Sequence, residues 1–257
     1  DTLDSYRSRR RGFPAPERPT RVDSLETELE RARALDTTEI ADAIQEIGFE
    51  CTRCGACCTA EADDPHTATV FPDEVREVQS ALGGDEKRDN GNRDDESRSH
   101  EYDWRDVARP MPYGLSEGGD GADGEDGPEG ETFEWALATD DCGDCTFYEE
   151  SADGTGACSV HEDRPLVCQT YPFSVALGGT SQPMGEAVDE EGVVRAHECE
   201  GLGRDISRAD AERMAGALKE RAVREIEEAI GVRDNYEPTD AEGVVVHDSE
   251  GAKRPDG

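Results

Sequence analysis

The stretch Cys51-Thr52-Arg53-Cys54-Gly55-Ala56-Cys57-Cys58 holds four thiols in eight residues, and the rest of the chain is read outward from it. A Cys-x-x-Cys turn brings two sulfurs to one ion, because the intervening amides face inward and the glycine permits a tight bend. Two such turns sharing Cys54 put three sulfurs on one concave loop. Bacterial ferredoxin runs present their first three ligands to a cluster in the same way. Adjacent side chains diverge, so Cys58 points to a second site or to a multinuclear cluster with sulfurs on two sides. Either way, the remaining ligands must come from later in the chain.

The later part supplies Cys142, Cys145, Cys158, Cys168 and Cys199, which brings the total to nine cysteines. In a reducing compartment such a count points to metal or redox work rather than to disulfides. The expected fold is α+β: a small, irregular, cysteine-rich domain centred on metal, with flanking helices and an acidic disordered insertion. In this reading Cys51, Cys54, Cys57 and Cys58 form one arm of the site. Cys145, Cys158, Cys168 and Cys199 form the other, and Cys142 is a further metal or redox candidate.

Charge bounds the function. The 257 residues include 63 Asp plus Glu against 27 Lys plus Arg, a formal net charge of -36. Disorder and adaptation to molar salt both produce such a balance. At about 1 M salt the Debye length falls to roughly 3 Å, which screens the self-repulsion. The cysteines and several amphipathic segments favour a folded, salt-adapted protein. The acidic surface argues against nucleic acid as a partner. No apolar run is long enough to cross a bilayer. Ser8-Arg9-Arg10-Arg11-Gly12-Phe13 has the look of a twin-arginine signal, but Pro14 to Pro19 and charged residues follow where an apolar run should stand. The expected location is therefore cytoplasmic.

Residues 1–21 are Arg- and Pro-rich and read as a disordered arm. The cysteine domain is expected over 22–231 and an acidic tail over 232–257. Asp23 and Glu26 resemble a capping box ahead of a Leu25, Leu29, Ala32, Leu35 stripe. Asp36 starts a second helix with Ile40, Ala43, Ile44 and Ile47 on one face, closed by Gly48. A short strand is expected over 67–71, then a helix from Pro72 carrying Val75, Val78 and Leu82. Residues 84–130 are rich in Asp, Glu and Gly and read as a flexible acidic insertion. Alternation predicts a strand over 131–138, with further strands over 173–177 and 193–196. A last helix spans about 207–230, with Met214, Leu218, Ala222, Ile226 and Ile230 on one face and Gly231 as its stop.

Four elements together resemble the YkgJ-type cysteine cluster proteins, also called the CxxCxxCC zinc- or iron-chelating domain. They are Cys51-x-x-Cys54-Gly-Ala-Cys57-Cys58; Cys145-Thr-Phe-Tyr; Cys158-Ser-Val-His161-Glu-Asp-Arg164-Pro165-Leu-Val-Cys168-Gln-Thr-Tyr171-Pro172-Phe173; and His197-Glu-Cys199-Glu-Gly201. The resemblance spans about residues 50–200 apart from the acidic insertion. It implies eight cysteines around metal, either as an iron–sulfur cluster or as zinc. Flagellin lysine N-methylases look similar over the same pattern, so a protein-lysine methyltransferase is one implied alternative. Cys142 and the long insertion depart from the family pattern.

Around the thiols, His161, His197 and Arg164 are expected to support the ligands rather than to be ligands, and His66 is a weaker candidate. Pro165 suits the start of a helix with Asp163 as its cap, and Tyr171-Pro172-Phe173 reads as core packing. The favoured function is an iron–sulfur protein with a redox or electron-transfer role and a redox or protein partner. The alternative is a structural zinc module with two closed four-cysteine sites. No acid–base or nucleophile constellation stands out, so catalytic residues remain unassigned at this level.

Overall fold

The computed structural model describes residues 24–60, 65–84, 103–116, 128–177, 187–189, 192–239 and 243–255. In chain order the helices are α1 (Leu25–Ala34), α2 (Thr37–Ile47), α3 (Pro72–Gly84), α4 (Leu166–Thr170) and α5 (Arg208–Asn235). The strands are β1 (Thr69–Val70), β2 (Ala108–Pro110), β3 (Leu115–Ser116), β4 (Glu129–Thr132), β5 (Trp135–Leu137) and β6 (Tyr148–Glu150), then β7 (Gly156–Cys158), β8 (Phe173–Val175), β9 (Ala187–Asp189), β10 (Val194–His197), β11 (Val244–Asp248) and β12 (Gly251–Lys253). The architecture is mixed α+β, built on short sheets of two to four strands. Two compact units divide the chain. The first takes residues within Asp1–Cys57, Ala152–Thr155 and Leu166–Ile230, and the second takes Cys58–Ser151, Gly156–Pro165 and Gly231–Gly257.

The first unit is held by helices on a small sheet. Ser24 caps α1, its hydroxyl accepting the Thr27 amide at 3.3 Å. This corrects the expectation that Asp23 is the cap; Asp23 lies outside the described residues. Asp36 caps α2 through the Thr38 amide at 2.7 Å, and Gly48 ends that helix at φ 78°, as its sequence implies. The stripe residues Ile40, Ile44 and Ile47 pack with Leu218, Ala222 and Ile226 of α5 and with Phe173, Val194 and Ala196 of the antiparallel sheet β8-β10-β9. Each fully buried Ile or Leu contributes on the order of 1.5–3 kcal/mol. Arg221 is also buried here, 1% exposed; its Nε donates to Glu225 at 2.7 Å and a terminal nitrogen donates to the Thr170 hydroxyl at 3.0 Å.

The second unit holds the remaining sheets: β1-β5-β2, β12-β11-β4-β3 and the hairpin β6-β7. Three expectations change here. The strand anticipated over 131–138 is two strands, β4 and β5, because Phe133 and Glu134 break the run and send each half to a different sheet. Part of the acidic insertion is structured: a 3-10 turn at Trp104–Asp106 is closed by a reciprocal Asp103–Asp106 capping box, and β2 and β3 follow it. The physical reason is the apolar patch around it. Trp104 meets Trp135 edge to face at 5.1 Å, and Val107 is fully buried. Residues 85–102 and 117–127 of that insertion lie outside the described residues, as does the arm 1–21.

The third change concerns the C-terminus. The segment anticipated as an acidic tail forms β11 and β12, and β11 pairs in parallel with β4 through Val244, Val245 and Val246. All five β11 residues are buried. Gly231 does not stop α5, which continues to Asn235. Its role is a close approach: a Cβ at Gly231 would sit 2.5 Å from the Ser249 Cβ and 3.0 Å from its Cα. Trp135 Nε1 donates to the buried Asp248 carboxylate at 2.8 Å, and Lys253 Nζ donates to the same oxygen at 2.6 Å. Among the described residues no helix is long and apolar enough to cross a membrane.

Candidate metal centre

The cysteines divide between the units, and the boundary falls between Cys57 and Cys58. The first unit carries Cys51, Cys54, Cys57, Cys168 and Cys199. The second carries Cys58, Cys142, Cys145 and Cys158. Each unit combines thiols from the early run with thiols from the later part. None of the nine cysteines is joined in a disulfide.

In the first unit, the approach to Cys51 is laced to the turn after Cys199. Glu50 donates its amide hydrogen to the Gly201 carbonyl at 3.0 Å, and Gly203 donates to Gly48 at 3.0 Å. Phe49 and Leu202 form an isolated antiparallel bridge between those bonds. Only glycine fits at both contact points. A Cβ at Gly201 would lie 2.3 Å from the Glu50 carbonyl oxygen, and one at Gly48 would lie 2.4 Å from that of Arg204.

The loop that follows alternates handedness. Arg53 is left-handed at φ 58°, and among the described residues it is the one non-glycine with positive φ; Gly55 stands at φ 80°. A left-handed arginine costs roughly 1–2 kcal/mol. Left-handed residues between cysteines turn successive amides toward one concave side, a shape that favours anions.

Cys199 is half-buried, and its sulfur accepts the Gly201 amide at 3.4 Å. Burial pushes its thiol up to about 11, and the nearby Cys57, Cys54 and Cys51 push the same way. Cys57, Cys54 and Cys51 are therefore within electrostatic reach of Cys199. The Tyr171 hydroxyl faces the same group. It is held above the usual phenol range first by burial and then by Cys199, Cys57 and Cys54. That hydroxyl donates to the Glu198 carbonyl, next to Cys199. The sequence reading placed Tyr171 in the core with Phe173. Phe173 is fully buried, whereas Tyr171 is half-buried at the thiols. Its signal in the sequence is its place three residues after Cys168. Cys168 itself lies on α4, whose last residue Thr170 donates its hydroxyl to the Leu166 carbonyl at 2.7 Å and accepts from Arg221.

In the second unit, the amide of Cys145 donates to the Cys58 carbonyl at 2.8 Å. The loop before Cys145 is closed on itself: Asp140 Oδ1 accepts from the amides of Cys142 at 2.8 Å and Asp144 at 3.0 Å. The Asp144 carboxylate in turn accepts from the Ala60 amide at 2.7 Å. Cys158 stands directly opposite Tyr148 in the β6-β7 hairpin. The Tyr148 hydroxyl is pushed up by burial and its bond to Glu150, and further by the charges of Cys58 and Asp144. The backbone thus brings Cys145 beside Cys58, and the β6-β7 hairpin that follows carries Cys158.

The supporting residues differ in kind. His197 is 4% exposed and its Nε2 shares a hydrogen bond with the Ser174 hydroxyl at 2.9 Å, two residues before Cys199. His161 is exposed and pairs with Glu162 at 3.3 Å. Arg164 takes an extended conformation, ψ 140°, ahead of Pro165, and α4 begins immediately after. His66 contributes through its backbone, donating its amide to the Gly143 carbonyl at 2.8 Å and accepting from Arg109 at 2.7 Å.

Among the described residues, no three His, Cys, Asp or Glu side chains are arranged to hold an ion. The donor chemistry is nevertheless that of a thiophilic metal, since clustered soft thiolates select zinc, copper(I) or iron–sulfur. Cys199 already receives an N–H···S bond of the kind that stabilises a coordinating thiolate. Drawing four thiolates onto one ion is coupled to proton loss and local folding in such sites. On this donor chemistry Cys51, Cys54, Cys57 and Cys199 are the first unit's ligand candidates, with Cys168 as a fifth thiol. Cys58, Cys145 and Cys158 are those of the second.

No curated protein and no solved structure matches the chain. One family model does match, CxxCxxCC, described as "Putative zinc- or iron-chelating domain", over residues 50–200. That span takes in every cysteine and more than half of the sequence. The chain therefore belongs to the CxxCxxCC family of zinc- or iron-chelating domains.

Proposed function

We propose that the protein is an iron–sulfur protein that exchanges electrons with a protein partner in a reducing compartment. The observation that carries this reading is the backbone of the first cysteine loop. Arg53 and Gly55 are left-handed between Cys51, Cys54 and Cys57, so the amides between the sulfurs line one concavity suited to an anionic cluster. Bound there, a cluster would supply one-electron transfer. The chain's own part is to hold sulfur, to donate amide hydrogens such as that of Gly201, and to limit water. Half-burial of Cys199 and Tyr171 serves the last purpose. Burial and amide hydrogen bonds are two of the levers by which a protein sets a cluster's potential.

A second reading is favoured by a different observation. Each unit carries at least four thiols of its own, and four thiolates make a closed tetrahedral zinc site with no open position for chemistry. Anaerobic isolation separates the two. The iron–sulfur reading expects a brown protein with iron and acid-labile sulfide in matching amounts. A colourless protein carrying stoichiometric zinc and no sulfide would replace it with the structural reading.

A further inference from the structure

We propose that Cys142 is a metal ligand and completes a four-thiolate site with Cys58, Cys145 and Cys158 inside the second unit, a ligand set distinct from that of the first unit. The proposal rests on the reading of this chain as metal-binding and goes beyond the family pattern, in which Cys142 has no counterpart.

The argument begins with the turn Cys142-Gly143-Asp144-Cys145. Gly143 is left-handed at φ 85°, the conformation that lets a Cys-x-x-Cys turn bring two sulfurs to one side. The turn is fixed from both ends. Asp140 accepts the amides of Cys142 and Asp144, Asp140 donates to the Asp144 carbonyl at 2.8 Å, and Gly143 donates to the Asp140 carbonyl at 3.0 Å. The turn is also pressed against the segment after Cys58: a Cβ at Gly143 would lie 3.2 Å from the Ala60 and Pro65 Cβ atoms.

The partner thiols are tied to the same turn by backbone bonds. Cys145 donates to the Cys58 carbonyl, and the bridge between Thr139 and Cys145 closes the loop's base. Tyr148 donates its amide to the Cys145 carbonyl at 2.9 Å, and Tyr148 pairs with Cys158 across the hairpin. Cys58, Cys145 and Cys158 supply three thiolates, one short of the four that a closed thiophilic site needs. Cys142 is the remaining cysteine of this unit. Cys142 is exposed while Cys145 is buried.

The test uses the full chain, stripped of metal and reloaded anaerobically with cobalt(II). Cobalt–thiolate absorption reports the number of sulfurs around each ion. Stepwise chelation followed by iodoacetamide and peptide mass spectrometry reports which thiols each ion protects. In the wild-type protein, Cys142 becomes alkylated in the same chelation step as Cys58, Cys145 and Cys158. Cys142→Ser shifts one cobalt equivalent to the spectrum of a three-sulfur site and weakens it at least tenfold, and Cys168→Ser leaves that equivalent unchanged. Alkylation of Cys142 while the other three stay protected would overturn the proposal and leave the metal-binding reading intact. A Cys142–Cys145 disulfide in the loaded protein would do the same. A chain that takes up no cobalt at all would overturn both. The protection pattern needs no substitution, so a variant that fails to fold does not blunt the test.

Discussion

The Gly201 carbonyl accepts the amide of Glu50, and the Gly201 amide points to the sulfur of Cys199. One residue thus ties the chain entering Cys51 to the turn that carries Cys199. A Cβ at Gly201 would press on the Glu50 carbonyl at 2.3 Å and on the Phe49 ring at 2.9 Å. The first of these is backbone and cannot swing aside.

Gly201→Ala is therefore expected to destabilise the first unit by about 1–3 kcal/mol, the usual range for overpacking, and to weaken metal held through Cys199. Gly216, inside α5, meets nothing within 4 Å of its built Cβ. Gly216→Ala is expected to stabilise by about 0.5–1 kcal/mol through helix propensity. Urea unfolding of both variants checks the contrast in sign.

Arg221 is buried and charged, with Glu225 on its Nε and Thr170 beneath it. Removing one partner of a buried ion pair leaves the other charge uncompensated, and Glu225 at 24% side-chain exposure reaches water whereas Arg221 at 1% does not. Glu225→Ala is accordingly expected to cost more than Arg221→Met. Midpoints of chemical unfolding decide the order, and the reverse order would show that groups other than Glu225 compensate the guanidinium.

In the second unit, hydrogen bonds from Arg76 and then Lys253 lower the Glu250 carboxyl to about 2. A lowered folded value favours the charged form, so its contribution is full above the ordinary carboxylate range of about 4.5. It is lost as pH falls from there through about 2. The group is 44% exposed at its side chain, so solvent screening keeps the contribution within about 1 kcal/mol. Glu250→Gln is expected to lower stability slightly at pH 7, with the difference from wild type shrinking as pH drops from 4.5 toward 2. Thermal unfolding across that window measures it.

Truncation after Asn235 removes β11, whose valines pair with β4, and Asp248, which accepts from Trp135. The second unit is expected to lose cooperative unfolding, whereas removal of a true tail would leave it unchanged. Calorimetry of the shortened chain distinguishes the two.

The helices of the first unit were legible in sequence because each carries its own cap and stripe: Asp36 and Gly48 around Ile40, Ile44 and Ile47 say the same thing locally that packing says globally. The ends of the chain were harder to read. Gly231 is a stop signal by local chemistry, and only the approach of Ser249 reveals its other use. The Val244 to Val246 run is short and set among acidic residues, so its pairing with β4 depends on contacts more than a hundred residues away. The candidate thiols were legible by type and spacing. Their division between two compact units was not, because nothing local in Cys57-Cys58 marks the passage of the chain from one unit to the other.

The account turns on thiolates of each unit closing around metal. Elemental and acid-labile sulfide analysis of the anaerobically isolated full-length chain, repeated on Cys199→Ser, tests it most directly. The expected result is tightly held metal in the wild type, with the first unit's share lost in the variant. Metal-free protein whose nine cysteines all react at once with a thiol reagent, and whose stability is indifferent to chelator, would contradict it.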